Sequence, residues 1–205
     1  MTDRVMAFID YRNVYRGARD CFHEPYAPSV AGQTHPILLG EHIVANSPFV
    51  RELDSVRVYR GLPSATRDSR ANAAFKRQVE AWSDDPRTVV VARTLSYPRG
   101  WPNRCQPGEK PQEKGIDVAL SVDFVRLALG DQYDVGVVVS TNTDLLPALE
   151  TVAHSTDKRV EVAAWSGRSG HNQRLSIEGD AQPWCHWLDR EVYERVCDMT
   201  NYSRP

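Results

Sequence analysis

The chain has 205 residues, 41% hydrophobic and 25% charged, and 25 Lys and Arg against 27 Asp and Glu leave a formal net charge of −2. These proportions fit a folded globular chain and exclude a disordered polyelectrolyte and a collagen-like repeat. No run approaches the roughly 18 apolar residues of a bilayer-spanning helix, so no membrane partner is expected.

The opening MTDRVMAFIDYRN carries only about five apolar residues before an Asp, too few for a secretory signal. Four scattered cysteines without a CxxC pair agree with reduced thiols and a cytoplasmic setting. In chain order, VMAFI (5–9) reads as a buried strand ending at Asp10. A helix is expected over 38–46, a strand at SVRVY (55–59), a helix over 65–82 and a strand at TVVVA (88–92). Over 115–129, Val118, Val122, Val125 and Leu129 recur at three- and four-residue steps, the pattern of a helix. VGVVVS (135–140) is the strongest strand. A helix over 145–154 follows, with Pro147 in its first turn, and then a fifth strand, VEVAA (160–164). WCHW (184–187) reads as a buried aromatic segment docking the C-terminus, with a last helix over 187–197. The other histidines, His171 among them, form no ligand spacing.

Continuous apolar runs predict strands covered on both faces, and their alternation with helices predicts a doubly wound α/β fold with a mainly parallel five-stranded sheet. Residues 1–166 are assigned to one domain and 167–205 to a C-terminal extension packing on it. Segment 167–179 is too irregular for any element. Two long loops, 21–35 and 96–113, have the length of lids or binding segments, or of surface decoration.

The near-neutral balance conceals an uneven distribution. Residues 1–115 carry 17 Lys and Arg against 13 Asp and Glu, whereas 116–205 carry 8 against 14. Between Arg57 and Arg77, the cations Arg57, Arg60, Arg67, Arg70, Lys76 and Arg77 face only Asp68. A basic stretch beside an acidic one suits phosphate binding next to a metal, and a solvated helix face is the alternative.

Doubly wound sheets bind ligands at the carboxyl ends of their strands. Asp10 follows the first strand, Asp144 lies four residues past 135–140, and Asp117 sits in the first turn of the 115–129 helix. All three therefore reach that edge. Converging hard oxygen ligands suit Mg2+ or Mn2+, although each Asp alone would also serve as a helix cap or an N-terminal acid. Asp123 lies about 240° around the helix from Asp117 and belongs to another face. No GxSxG elbow or P-loop occurs, and Arg12 stands where an aspartyl-phosphate enzyme wants a second carboxylate. Metal-assisted hydrolysis is the enzymatic reading left.

FIDYRN (8–13), EKGIDVALSVDFV (113–125) and VVVSTNTDLLPALE (137–150) occur in the order and at about the distances of the NYN motifs FIDGxN, KGxDVxLAxD and SGDSDFxPLI. The sequence resembles the NYN domain family, a branch of the PIN-like nucleases, over about residues 4–165. The resemblance implies a Rossmann-like α/β/α sandwich and Mg2+- or Mn2+-dependent cleavage of phosphodiester bonds, commonly in single-stranded RNA, with DNA as the other substrate. By matching position, Asp10, Asp117 and Asp144 would form the acidic cluster, with Asn13 and Asn142 orienting ligands or water. Arg12, Lys114, Arg60, Arg67 and Arg70 would contact substrate phosphates, with an exposed helix-start Lys the alternative for Lys114, and Trp101 or Tyr97 would stack an unpaired base or anchor the loop. Tyr11 replaces the family's Gly, and Asn142 stands where many members have Asp. An amide brings no negative charge, so a nucleic-acid-binding module with weak or lost turnover is the second reading. A phosphatase acting on small esters is the third. The sequence does not reveal the oligomeric state, although an exposed Trp-rich C-terminus could pair subunits as a homodimer.

Overall fold

A computed structural model describes residues 2–167, 173–179 and 182–204; His171 and part of segment 167–179 lie outside them. Among the described residues one sheet is built from β1 (Asp3–Asp10), β2 (Arg51–Leu62), β3 (Thr88–Thr94), β4 (Val135–Val139), β5 (Arg159–Trp165) and β6 (Trp184–Leu188). Its order is β3-β2-β1-β4-β5-β6, and every neighbouring pair is parallel. The helices are α1 (Tyr11–Phe22), α2 (Pro36–Ala45), α3 (Ser69–Trp82), α4 (Ile116–Leu129), α5 (Leu146–Ser155) and α6 (Arg190–Val196), with a 3-10 turn, Thr143–Leu145, ahead of α5. Among the described residues no helix is long and apolar enough to cross a membrane.

The two-residue period of β1 divides the core. Val5, Ala7 and Ile9 pack with Val14 and Ala18 of α1, with Ile37, Leu39 and Ile43 of α2, and with Val192 and Val196 of α6. Met6 and Phe8 face the opposite layer, where Leu120 and Phe124 of α4 meet Leu149 and Val152 of α5. The Phe8 ring stands 5.0 Å from Phe124 and 5.5 Å from Tyr133. Fully burying one such side chain stabilises the fold by roughly 1.5–3 kcal/mol, so both layers hold the central strand firmly.

The sheet has six strands rather than the expected five, and the sixth is WCHWL. As the strand at one edge of the sheet it buries Cys185, His186 and Leu188, while Trp184 and Trp187 remain 50% and 44% exposed. It contains no β-branched run, so the segment reads locally as a docking patch. Helix α1 was also not foreseen: YRNVYRGARDCF is largely polar, yet Tyr11, Val14, Ala18 and Phe22 are its buried stripe. Helix α3 begins at Ser69 rather than at 65, because the Asp68 carboxylate accepts the Ala71 N–H at 3.1 Å as its N-cap.

Strands β1 and β4 are neighbours, but their following helices leave to opposite faces of the sheet. That reversal opens a crevice at their carboxyl ends, where ligands bind in open parallel sheets. Asp10 ends β1 and Ser140 follows β4, so both are delivered to it.

Candidate active site

Asp10 caps α1. Its Oδ1 accepts the Asn13 N–H at 3.2 Å, and its Oδ2 accepts the Ser140 hydroxyl at 3.1 Å. Burial pushes the Asp10 carboxyl above the usual carboxylate range; the two hydrogen bonds oppose this, and the nearby charges of Glu113 and Asp117 reinforce it. The Ser140 hydroxyl also accepts the Asn142 N–H at 3.1 Å. Across the crevice the Asn13 Oδ1 accepts the Thr141 N–H at 3.1 Å, and its amide meets the Thr141 hydroxyl at 3.3 Å. The first helix and the loop after β4 are therefore tied together at the carboxylate.

Asp117 arrives from the other side, in the first turn of α4. Gly115 caps that helix with φ of +69°, a left-handed conformation that costs an ordinary residue about 1–2 kcal/mol. Glu113 precedes it and is anchored twice. Its Oε1 accepts the Gly61 N–H at 2.7 Å, and its Oε2 faces the Arg12 guanidinium at 3.6 Å. A Cβ on Gly61 would run into the Leu95 Cδ2 and stand 2.7 Å from the Glu113 Cγ, so glycine leaves room for both side chains against β2.

These groups enclose a cavity of about 430 Å3, lined by Asp10, Arg12, Asn13, Arg16, Asp20, Glu113, Asp117, Thr141 and Asn142. Asp10, Asp117, Asn13, Asn142 and Arg12 were expected here. Asp144 was too, but it lies outside the lining: it is exposed in the 3-10 turn, where its N–H donates to the Asn142 Oδ1 at 3.1 Å. The amide oxygen thus works as a turn cap. Lys114 is exposed and also outside the lining.

The basic stretch does not form one patch, because β2 and α3 turn its members in different directions. Arg57 pairs with Asp123 at 2.9 Å beside Tyr59. Arg67 is exposed over the Tyr97 ring, 5.6 Å from its centre, and Arg70 is exposed at the start of α3. The Tyr97 hydroxyl accepts the Ser64 N–H at 2.9 Å, and Trp101 lies 6.1 Å from the Tyr97 ring. Arg60 lines a second cavity instead of the first.

Glu113, Arg16 and Asp20 were missed. Arg12, Arg16 and Asp20 are four residues apart and share a face of α1, a signal legible only once that segment is taken as a helix. Among the described residues no three His, Cys, Asp or Glu side chains stand together as a ready-made metal cluster. The donor chemistry still fits a hard divalent cation. The lining carboxylates and carboxamides offer oxygen, and Mg2+ commonly takes one or two carboxylates, keeping water and substrate phosphate for the rest.

A family model described as the NYN domain matches residues 4–177. The chain belongs to the NYN domain family. That membership carries a PIN-like nuclease fold, in agreement with the parallel α/β sheet. A curated relative, 6-hydroxy-3-succinoylpyridine 3-monooxygenase HspA of Pseudomonas putida, is 31% identical to this NYN chain over 83 residues. The match covers 40% of this chain and 25% of that protein, so the NYN chain spans about a quarter of that relative's length. Among solved structures, a protein of unknown function from Vibrio parahaemolyticus aligns over 79% of this chain and 81% of its own, with a TM-score of 0.49 and 17% identity. UGT73P12 of Glycyrrhiza uralensis aligns over 80% of this chain and 28% of its own, with a TM-score of 0.35 and 13% identity.

Proposed function

We propose that this NYN domain is a nuclease that hydrolyses phosphodiester bonds in single-stranded RNA with the help of Mg2+ or Mn2+. The observation that supports it is the meeting of Asp10 and Asp117 in one crevice at the sheet's reversal point, with Glu113 close enough to disfavour ionisation of Asp10. Crowded carboxylates of this kind favour a cation between them.

Asp10 and Asp117 would hold the ion. Bound there, it would supply a water of lowered pKa and offset the charge developing on the scissile phosphate. The Ser140 and Asn13 hydrogen bonds fix the orientation of Asp10 and leave acceptor capacity on each oxygen. Arg12 and Arg16 line the same wall and suit paired contacts to phosphate oxygens, with Glu113 aiming Arg12. Asn142 keeps its amide N–H groups for substrate, since its oxygen is engaged by the turn. Asp144 is exposed and outside the lining, so it ranks below Asp10 and Asp117.

The test is cleavage of end-labelled single-stranded RNA, with single-stranded DNA alongside, in Mg2+, Mn2+ or EDTA. Wild type should cleave RNA only with metal, Asp10→Asn and Asp117→Asn should lose at least about 100-fold in rate, and Asp144→Asn should lose less. Salt-sensitive RNA binding without cleavage by wild type would replace this reading with the non-cleaving binding module.

A further inference from the structure

A second cavity, of about 350 Å3, adjoins the first and shares Arg12 and Glu113 with it. Its lining includes Arg60, whose surroundings are unusual for a guanidinium. The Tyr11, Phe75 and Trp82 rings pack around it with centres 4.8, 4.7 and 5.4 Å from its Cζ. Its one hydrogen bond among the described residues is to the Gln78 Oε1, at 2.5 Å. No carboxylate stands within ion-pair distance of it among the described residues; burial lowers its pKa from the ordinary guanidinium value, and the nearby charges of Tyr11 and Glu113 oppose this. Aromatic faces and a neutral amide stabilise the cation without neutralising it, and most of its N–H donors remain unused. A poorly solvated positive charge of this kind favours an anion that brings hydrogen-bond acceptors.

The rest of the cavity suits a ligand larger than a bare anion. Tyr15 and Tyr202 line it, together with the small Ala74 of α3. The segment carrying Tyr202 is anchored beside it: Arg77 donates from its Nε to the Tyr202 carbonyl at 2.8 Å, and the Tyr202 hydroxyl donates to Asp198 at 2.8 Å.

We infer that this second cavity is a nucleotide subsite, holding on Arg60 the phosphate of a nucleotide next to the scissile bond, with its base against Tyr15 and Tyr202. The ligand class rests on the nuclease reading above, and the shared Arg12 wall lets one strand reach both cavities.

Binding of adenosine 5′-monophosphate, adenosine and inorganic phosphate to the full chain in EDTA, followed by calorimetry, tests it apart from catalysis. The monophosphate should bind at least about tenfold tighter than adenosine or inorganic phosphate. Arg60→Gln should lose about tenfold or more. Ala74→Phe, which fills the cavity without touching the cation, should lose as much while remaining folded by circular dichroism. Arg16→Gln, which alters only the first cavity, should retain the affinity. No binding to wild type, equal binding of inorganic phosphate, or loss in Arg16→Gln but not in Ala74→Phe would each overturn the inference. RNA cleavage by the same wild-type sample in Mg2+ separates the two readings. Ala74-sensitive nucleotide binding without cleavage would sink the nuclease and leave the subsite, and cleavage without nucleotide binding would do the reverse.

Discussion

Replacing Glu161 with Gln tests the strongest polar commitment of the fold. Glu161 of β5 is bound by Arg51 of β2 through two hydrogen bonds, Nη1 to Oε2 at 2.7 Å and Nη2 to Oε1 at 3.0 Å, and both side chains are 0% exposed. His186 of β6 adds a third contact at 2.8 Å. The Arg51 Nε already lacks a partner among the described residues, so an amide in place of the carboxylate would strand a buried cation. Breaking a buried pair in this way costs about 3–5 kcal/mol, a large part of the roughly 5–15 kcal/mol that holds a domain folded. At about 2–4 °C per kcal/mol for a chain of this size, the melting temperature should fall by about 6–20 °C. The effect also has a pH signature. Burial raises the Glu161 pKa, but the hydrogen bonds and charges of His186 and Arg51 outweigh it and hold the carboxyl below its ordinary value. A lowered folded-state pKa gives stability that is fully present above the unfolded value, about 4.3, and lost as pH falls through the folded value. The gap between wild type and Glu161→Gln in urea unfolding should therefore be wide at pH 7 and narrow as pH falls below about 4.3. A gap under about 1 kcal/mol at pH 7, or one that widens in acid, would refute the reasoning.

Gly61→Ala should push Glu113 off β2, costing about 1–3 kcal/mol by overpacking and slowing metal-dependent RNA cleavage by about tenfold; unchanged rates would show that Glu113 needs no anchor. Asn13→Ala should cost about 1–3 kcal/mol by leaving the Thr141 N–H unpaired, read as faster hydrogen exchange at 140–142, and normal protection there would sink the idea that Asn13 ties the crevice shut. Gly115→Ala should cost about 1–2 kcal/mol through its left-handed φ, measured by thermal unfolding. Asn142→Asp should keep the cap on Asp144 and add a charge to the cavity, raising Mg2+ affinity several-fold by calorimetry; weaker binding would count against a metal in this crevice.

The parts of this protein legible in sequence are those decided by local pattern. The apolar runs at 5–9 and 135–140 could only be strands covered on both sides, and that alone delivers Asp10 to a carboxyl edge. The first turn of the 115–129 helix does the same for Asp117. The motif spacing sufficed for the family. Tertiary structure decided what depends on distant partners. WCHWL becomes a strand because β5 offers it an open edge, and YRNVYRGARDCF becomes a helix because its narrow apolar stripe meets β1 and β5. Asp144 sits exposed in a 3-10 turn capped by Asn142, outside the residues that line the cavity. Charge shows the division most clearly. The sequence places six cations between Arg57 and Arg77, but a backbone that alternates faces sends Arg57 to Asp123, Arg77 to a carbonyl and Arg60 into an aromatic cage. A net charge of −2 and a basic stretch therefore say little about ligands, because the energy of a charge is set by its neighbours in space rather than along the chain.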